Sequence, residues 1–222
     1  MRLPYAPLPL LIFVVILIFL LSIVQVGALT IAFDKLGLTT SSAFLLLFAS
    51  LFGSAINLPL FTVRAERPAM APLPPSLRRL LRHHAREFKG KTLVAVNVGG
   101  CLIPAAFSIY LLIRHPMPWT QVLIATAAIA VLSRLISRPI PGLGIGMPMF
   151  LPPVMAAMLA LLINSEESAP LAYVSGTLGV IIGADLLRLN DIRKLGTPFA
   201  SIGGAGTFDG IFMTGIVAVL LA

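Results

Sequence analysis

Apolar residues fall in long stretches without strict alternation, and short polar or basic segments separate them. Runs near twenty residues match the helical length that crosses a hydrocarbon core about 30 Å thick. Backbone amides in lipid have to be satisfied within the segment, so such runs are read as helices and not as barrel strands. The pattern predicts seven spanning segments, over Leu8–Phe33, Ala43–Phe61, Thr92–Ile113, Trp119–Ile136, Met149–Asn164, Pro170–Leu187 and Ile202–Ala222. The first run is longer than the core of a secretory signal and is read as a retained span. The expected fold is an all-α, polytopic transmembrane helix bundle forming a single domain over residues 1–222. Two places break the pattern. Gly203, Gly204 and Gly206 weaken the start of the last segment, and Arg138 to Val154 carries too many Pro and Gly residues for continuous helix, predicting a broken or re-entrant element.

Between the second and third segments lies a basic stretch, 64–91, read as a cytoplasmic loop. It opens with Pro68, Pro72, Pro74 and Pro75. From Ser76 to Phe88 it places Leu77, Leu80, Leu81, His84 and Phe88 on one helical face, which predicts a basic amphipathic helix on the membrane surface. With this loop inside, 14 of the 16 Lys and Arg residues fall on one side and only Lys35 and Arg114 on the other. Short cytoplasmic loops retain basic residues, so the N-terminus is expected inside and the C-terminus outside.

Composition agrees with lipid as the solvent. The chain is 58% hydrophobic and 11% charged, whereas soluble domains carry about 25% charged residues. The net charge of +8 sits in loops between apolar runs, where anionic headgroups are the expected partner and nucleic acid is not. Cys101 is the single cysteine, which excludes an intramolecular disulfide. His83 and Glu87 have the i, i+4 spacing of a metal pair, but a third ligand is missing, so neither a metal nor another cofactor is expected.

Candidate chemistry comes from ionisable groups at membrane depth, where an Asp costs about 3 kcal/mol at a helix centre. Asp185 ends the run Gly176 to Asp185, and Asp209 follows the glycines at 203, 204 and 206. On antiparallel neighbours joined by a short loop, the two acids are expected at similar depth, where they would share a proton and activate water. The rival placement has Asp185 reaching the headgroups with Arg188 and Asp209 in the first turn of its helix. Projection at 100° per residue puts Asp185 with Leu178, Ile181 and Ile182, opposite Gly176, Gly179 and Gly183, so the glycine face is expected to pack most closely. Gly183, Gly206, Thr207, Gly210, Asn57, Pro59, Asn97, Pro152 and Pro153 are the further candidates for lining a substrate site or cavity. Asn97 to Pro104 and Ser201 to Phe208 share a Gly-Gly after a polar residue, a hint of duplication.

The stretches Gly176 to Gly179, Gly183 to Leu187 and Ser201 to Ile216, with Phe150 to Pro153 upstream, resemble the bacterial and archaeal membrane proteins grouped as domain of unknown function 1614. That resemblance spans most of the chain from the second segment onward and implies a cytoplasmic-membrane location without implying an activity. A weaker likeness is to intramembrane aspartyl proteases, which carry one Asp on each of two adjacent antiparallel spans. Here Gly206 to Asp209 has one extra residue between glycine and acid, no Tyr precedes Asp185, and Asn57 to Leu60 is the nearest stand-in for Pro-Ala-Leu. The leading expectation is an intramembrane aspartyl protease with Asp185 and Asp209 as catalytic residues and a transmembrane helix as substrate. An ion-coupled transporter or channel component and a structural or assembly subunit stay open beside it.

Overall fold

The computed structural model describes residues 14–17, 26–65, 90–140, 144–204 and 210–222. Helix α1, Val26–Lys35, turns through 111° into α2, Thr40–Gly53. Gly37 makes the turn at φ 69°, a left-handed conformation open to glycine. Thr39 then caps α2, its hydroxyl accepting from Ser42 N–H at 3.3 Å.

After α2 the chain does not stay helical. Strand β1, Asn57–Arg64, pairs antiparallel with β2, Lys91–Asn97, and β2 pairs in parallel with β5, Phe199–Ile202. Two short strands, β3 (Arg138–Ile140) and β4 (Gly144–Gly146), form a separate hairpin. These five strands correct the all-α expectation; β1 replaces the end of the expected span Ala43–Phe61 and β2 the start of Thr92–Ile113, while β5 reaches only the first residue of Ile202–Ala222. Local composition permits this. Thr62 and Val63 in β1 and Thr92, Val94 and Val96 in β2 are β-branched and favour extended backbone. Pro59 cannot donate to a ladder and sits at the register shift of the edge strand β1.

From β2 a π-turn, Val98–Leu102, leads into α3, Ile103–Arg114. Helix α4, Trp119–Ile136, has the bounds expected for the fourth span. Helix α5, Leu151–Ile163, begins with Pro152 and Pro153 in its first turn, where their missing N–H groups cost nothing. Helix α6, Ser168–Val180, continues through a π-turn, Ile181–Asp185, and a 3-10 segment, Leu186–Lys194. Helix α7, Gly210–Leu221, ends the fold. Among the described residues, Trp119–Ile136 and the continuous Ser168–Lys194 are long and apolar enough to cross a membrane, with a third span if the bent α1–α2 pair counts as one. The expected amphipathic helix at 76–88 and the His83–Glu87 pair lie outside the described residues.

Helix α6 is the centre of the bundle. Every residue of it except Leu178 is buried, and α3, α4, α5 and α7 pack around it. Its glycines make this close approach. A Cβ on Gly179 would lie 2.7 Å from the Ile129 side chain, one on Gly183 would run into the Ala130 carbonyl oxygen, and one on Gly176 would touch Ala156, Thr214 and Ala218. The expected glycine face is therefore the packing face, as small residues are in helix pairs within lipid. Tyr173, fully buried, meets the Phe107 ring edge-on at 5.0 Å.

Polar contacts close the two ends of the bundle. At one end His115 Nδ1 lies 2.8 Å from Glu167 Oε2, and Asn164 Nδ2 donates to Gln121 Oε1 at 2.9 Å. At this end too, Lys35 Nζ donates at 3.4 Å to the carbonyls of Val219 and Leu220, where the last turn of α7 presents negative partial charge. At the other end the Arg188 guanidinium donates to Ser137 Oγ at 3.1 Å, to the Arg134 carbonyl at 2.6 Å and to the Ser137 carbonyl, capping α4.

Candidate functional site

The two Gly-Gly segments meet. β2 and β5 run side by side in the same direction, with Val96 opposite Ile202, so Asn97 to Gly100 and Gly203 to Gly204 leave the sheet together. The fit leaves no room for side chains. A Cβ on Gly100 would collide with the Gly203 carbonyl oxygen, and one on Gly99 with the backbone of Ser50 and Ser54. Gly203 and Gly204 both take left-handed backbone, φ 81° and 78°.

Asn97 holds the crossing together from a position 1% exposed. Its Oδ1 accepts from Gly100 N–H at 2.7 Å, and its Nδ2 donates to the Ser54 carbonyl at 2.7 Å and to Asn57 Oδ1 at 3.0 Å. Ser201 Oγ donates to the same Asn57 oxygen at 2.7 Å, and Ser50 Oγ donates to the Gly99 carbonyl at 2.6 Å. Buried polar groups are tolerated when they are paired in this way. The two asparagines expected to line a site are thus the joint between α2, the π-turn and β5.

Asp185 approaches the same crossing from α6. The π-turn widens the helix by one residue, so that Leu186 N–H is shared between the Ile181 and Ile182 carbonyls. Asp185 ends the turn, and its Oδ2 accepts from Gly203 N–H at 3.1 Å. Arg188, expected as its headgroup partner, instead donates to Asp191 Oδ2 at 3.0 Å. Beside Asp185 lies a cavity of about 160 Å³, lined also by Ser201, Phe199, Gly204, Gly144 and Ile145. That volume accommodates several waters or a small hydrated ion. Among the described residues of the lining, Asp185 is the one charged side chain, which suits a proton or a cation.

The remaining expected residues are dispersed. Gly183 packs on α4 and is not part of the lining. Pro59 is exposed on β1, and Pro152 and Pro153 are buried in the first turn of α5. Gly206, Thr207 and Asp209 lie outside the described residues, and Gly210 starts α7. Sequence reasoning missed Ser201 and the Gly144–Ile145 strand. Their only signal was the repeated polar-x-Gly-Gly pattern and the Pro/Gly-rich segment before α5. Among the described residues no group of three His, Cys, Asp or Glu side chains could hold a metal ion.

No curated protein and no solved structure matches the chain. A family model does match, over residues 51–221, a span that takes in the sheet, the crossing and helices α3 to α7. The chain belongs to the family described as protein of unknown function (DUF1614).

Proposed function

We propose that the chain is an ion-coupled transporter or channel component of a cytoplasmic membrane, in which Asp185 binds a proton or a cation. The observation that carries this reading is the cavity of about 160 Å³ where the π-turn of α6 brings Asp185 against the interrupted backbone of Gly203 and Gly204. Non-helical backbone is tolerated at membrane depth where protein buries it or where it lines a watery cavity. Broken elements around an acidic residue are also the way transporters build a coupling-ion site. In the proposed topology the N-terminus is inside and the C-terminus outside, with up to seven crossings. The placement of Lys35, Arg114 and Ala222 at the end of the bundle opposite Arg134, Arg188 and Lys194 supports that sidedness.

Purified chain in liposomes loaded with a pH-sensitive or cation-sensitive dye tests the reading. Wild type is expected to pass protons or a monovalent cation down an imposed gradient. Asp185→Asn, whose Oδ1 can still accept from Gly203 N–H, is expected to stay folded and lose the flux. Equal flux through wild type, Asp185→Asn and empty liposomes removes the proposal.

One observation favours the protease reading as a second. Asp185 is hydrogen-bonded to Gly203, at the head of the segment that carries Asp209. On that reading the two acids activate water against a substrate helix. Cleavage of a reporter transmembrane helix by wild type, and its loss in both Asp185→Asn and Asp209→Asn, would select the protease. Cleavage unchanged in both variants would eliminate it.

A further inference from the structure

Among the described residues, the end of the bundle near Asp191 holds more positive charge than its own contacts use. Asp191 accepts from Arg188 and from Lys194, each at 3.0 Å, and lies 3.7 Å from Arg134. Arg138, on β3 against the 3-10 segment, and Arg193 are exposed beside them. Among the described residues, Arg134, Arg188 and Lys194 thus share Asp191, with Arg138 and Arg193 nearby. Asp185, on the neighbouring turn, faces Gly203. Arg188 is committed to Asp191 and to capping α4, but among the described residues the Arg134 guanidinium makes only its long contact with Asp191. The Arg134 side chain is 38% exposed and that of Lys194 68%.

A second feature adjoins the bases. Val131 and Leu135 stand exposed one turn apart on α4, at 58% and 73%, on either side of Arg134 in the chain. Leu186 and Leu187 are exposed at the start of the 3-10 segment. Cationic donors at a helix end, continuous with an apolar strip along the helix, match the two halves of one amphipathic molecule.

We infer that Arg134, Lys194 and their basic neighbours form a site for the phosphate headgroup of an anionic phospholipid, whose acyl chains lie along Val131 and Leu135. Basic pockets between helix ends on the cytoplasmic side hold such headgroups by charge. Arg134 is suited to the phosphate because its planar fork offers paired donors, and Lys194 adds a mobile point charge. Asp191 keeps the donors gathered when lipid is absent. The inference holds for a transporter and for a protease alike, since it uses neither Asp185 nor Asp209.

The test is native mass spectrometry of the full chain in neutral detergent, titrated with phosphatidylglycerol, phosphatidylcholine or inorganic phosphate. Wild type is expected to retain phosphatidylglycerol over phosphatidylcholine, with millimolar inorganic phosphate failing to displace it. Each neutralised base should weaken binding about fivefold, so Arg134→Gln with Lys194→Gln should bind about 25-fold more weakly. Arg134→Lys with Lys194→Arg should keep the preference, which separates charge from misfolding. Equal retention of the two lipids, or an undiminished preference in the Gln double variant, would overturn the site. Displacement by inorganic phosphate would reduce it to a general anion site and overturn the lipid assignment.

Discussion

Replacing Asn97 by Ala tests the crossing on which the candidate site stands. The substitution deletes three hydrogen bonds, at 2.7, 2.7 and 3.0 Å, from a residue 1% exposed. Asn57 Oδ1 keeps Ser201 as a donor, so two groups lose a partner, Gly100 N–H and the Ser54 carbonyl. A buried polar group left unmatched costs about 1–3 kcal/mol, which gives about 4 kcal/mol for the pair. For a chain of this size that is a fall in Tm of about 10 °C. Thermal unfolding in neutral detergent, followed by circular dichroism, reads the change. Asn97→Asp sharpens the argument. It preserves the acceptor for Gly100 N–H but sets a carboxylate against the Ser54 carbonyl and Asn57 Oδ1, so it should destabilise at least as much as Ala. A loss below about 1 kcal/mol in Asn97→Ala, or a milder effect in Asn97→Asp, would refute the idea that this side chain joins α2, the π-turn and the sheet.

Two further outcomes follow from the same contacts. Gly183→Ala forces a Cβ into the Ala130 carbonyl oxygen. Overpacking of this kind costs about 1–3 kcal/mol, so the variant should melt lower than wild type while Leu178→Ala, outside the buried face of α6, stays closer to it. Arg188→Gln removes the cap on α4 and leaves Asp191 with Lys194 and the more distant Arg134. Asp191 keeps Lys194, so the loss of the charge-assisted hydrogen bond costs about 1.5–3 kcal/mol, read as increased proteolysis at the α4–β3 junction and a lower Tm. An unchanged melting curve would mean that solvent reaches this end freely.

Much of the architecture was legible from the chain. Trp119–Ile136 appears with the expected bounds because eighteen residues without Pro or Gly, all but Gln121 and Arg134 apolar or small, admit little besides helix. The glycine face of α6 was readable for a similar reason, since the 3.6-residue period places Gly176, Gly179 and Gly183 together whatever surrounds them. Family membership was readable from the last third of the chain and agrees with the match over residues 51–221.

Only tertiary structure decided the strands and the partner of Asp185. Leu58 to Val63 and Thr92 to Val96 are short apolar runs that suit either helix or strand, and periodicity does not separate the two at this length. What made them strands was pairing, of β1 with β2 and of β2 with β5 more than 100 residues downstream, which supplies the ladder hydrogen bonds that a strand lacks by itself. Asp185 likewise looked to Arg188, three residues away along the chain. The fold instead gave Arg188 to the end of α4 and brought Gly203 N–H to Asp185. Apolar run length selects lipid and helix locally, whereas hydrogen-bond partners for broken backbone come from segments that only the packed bundle sets side by side.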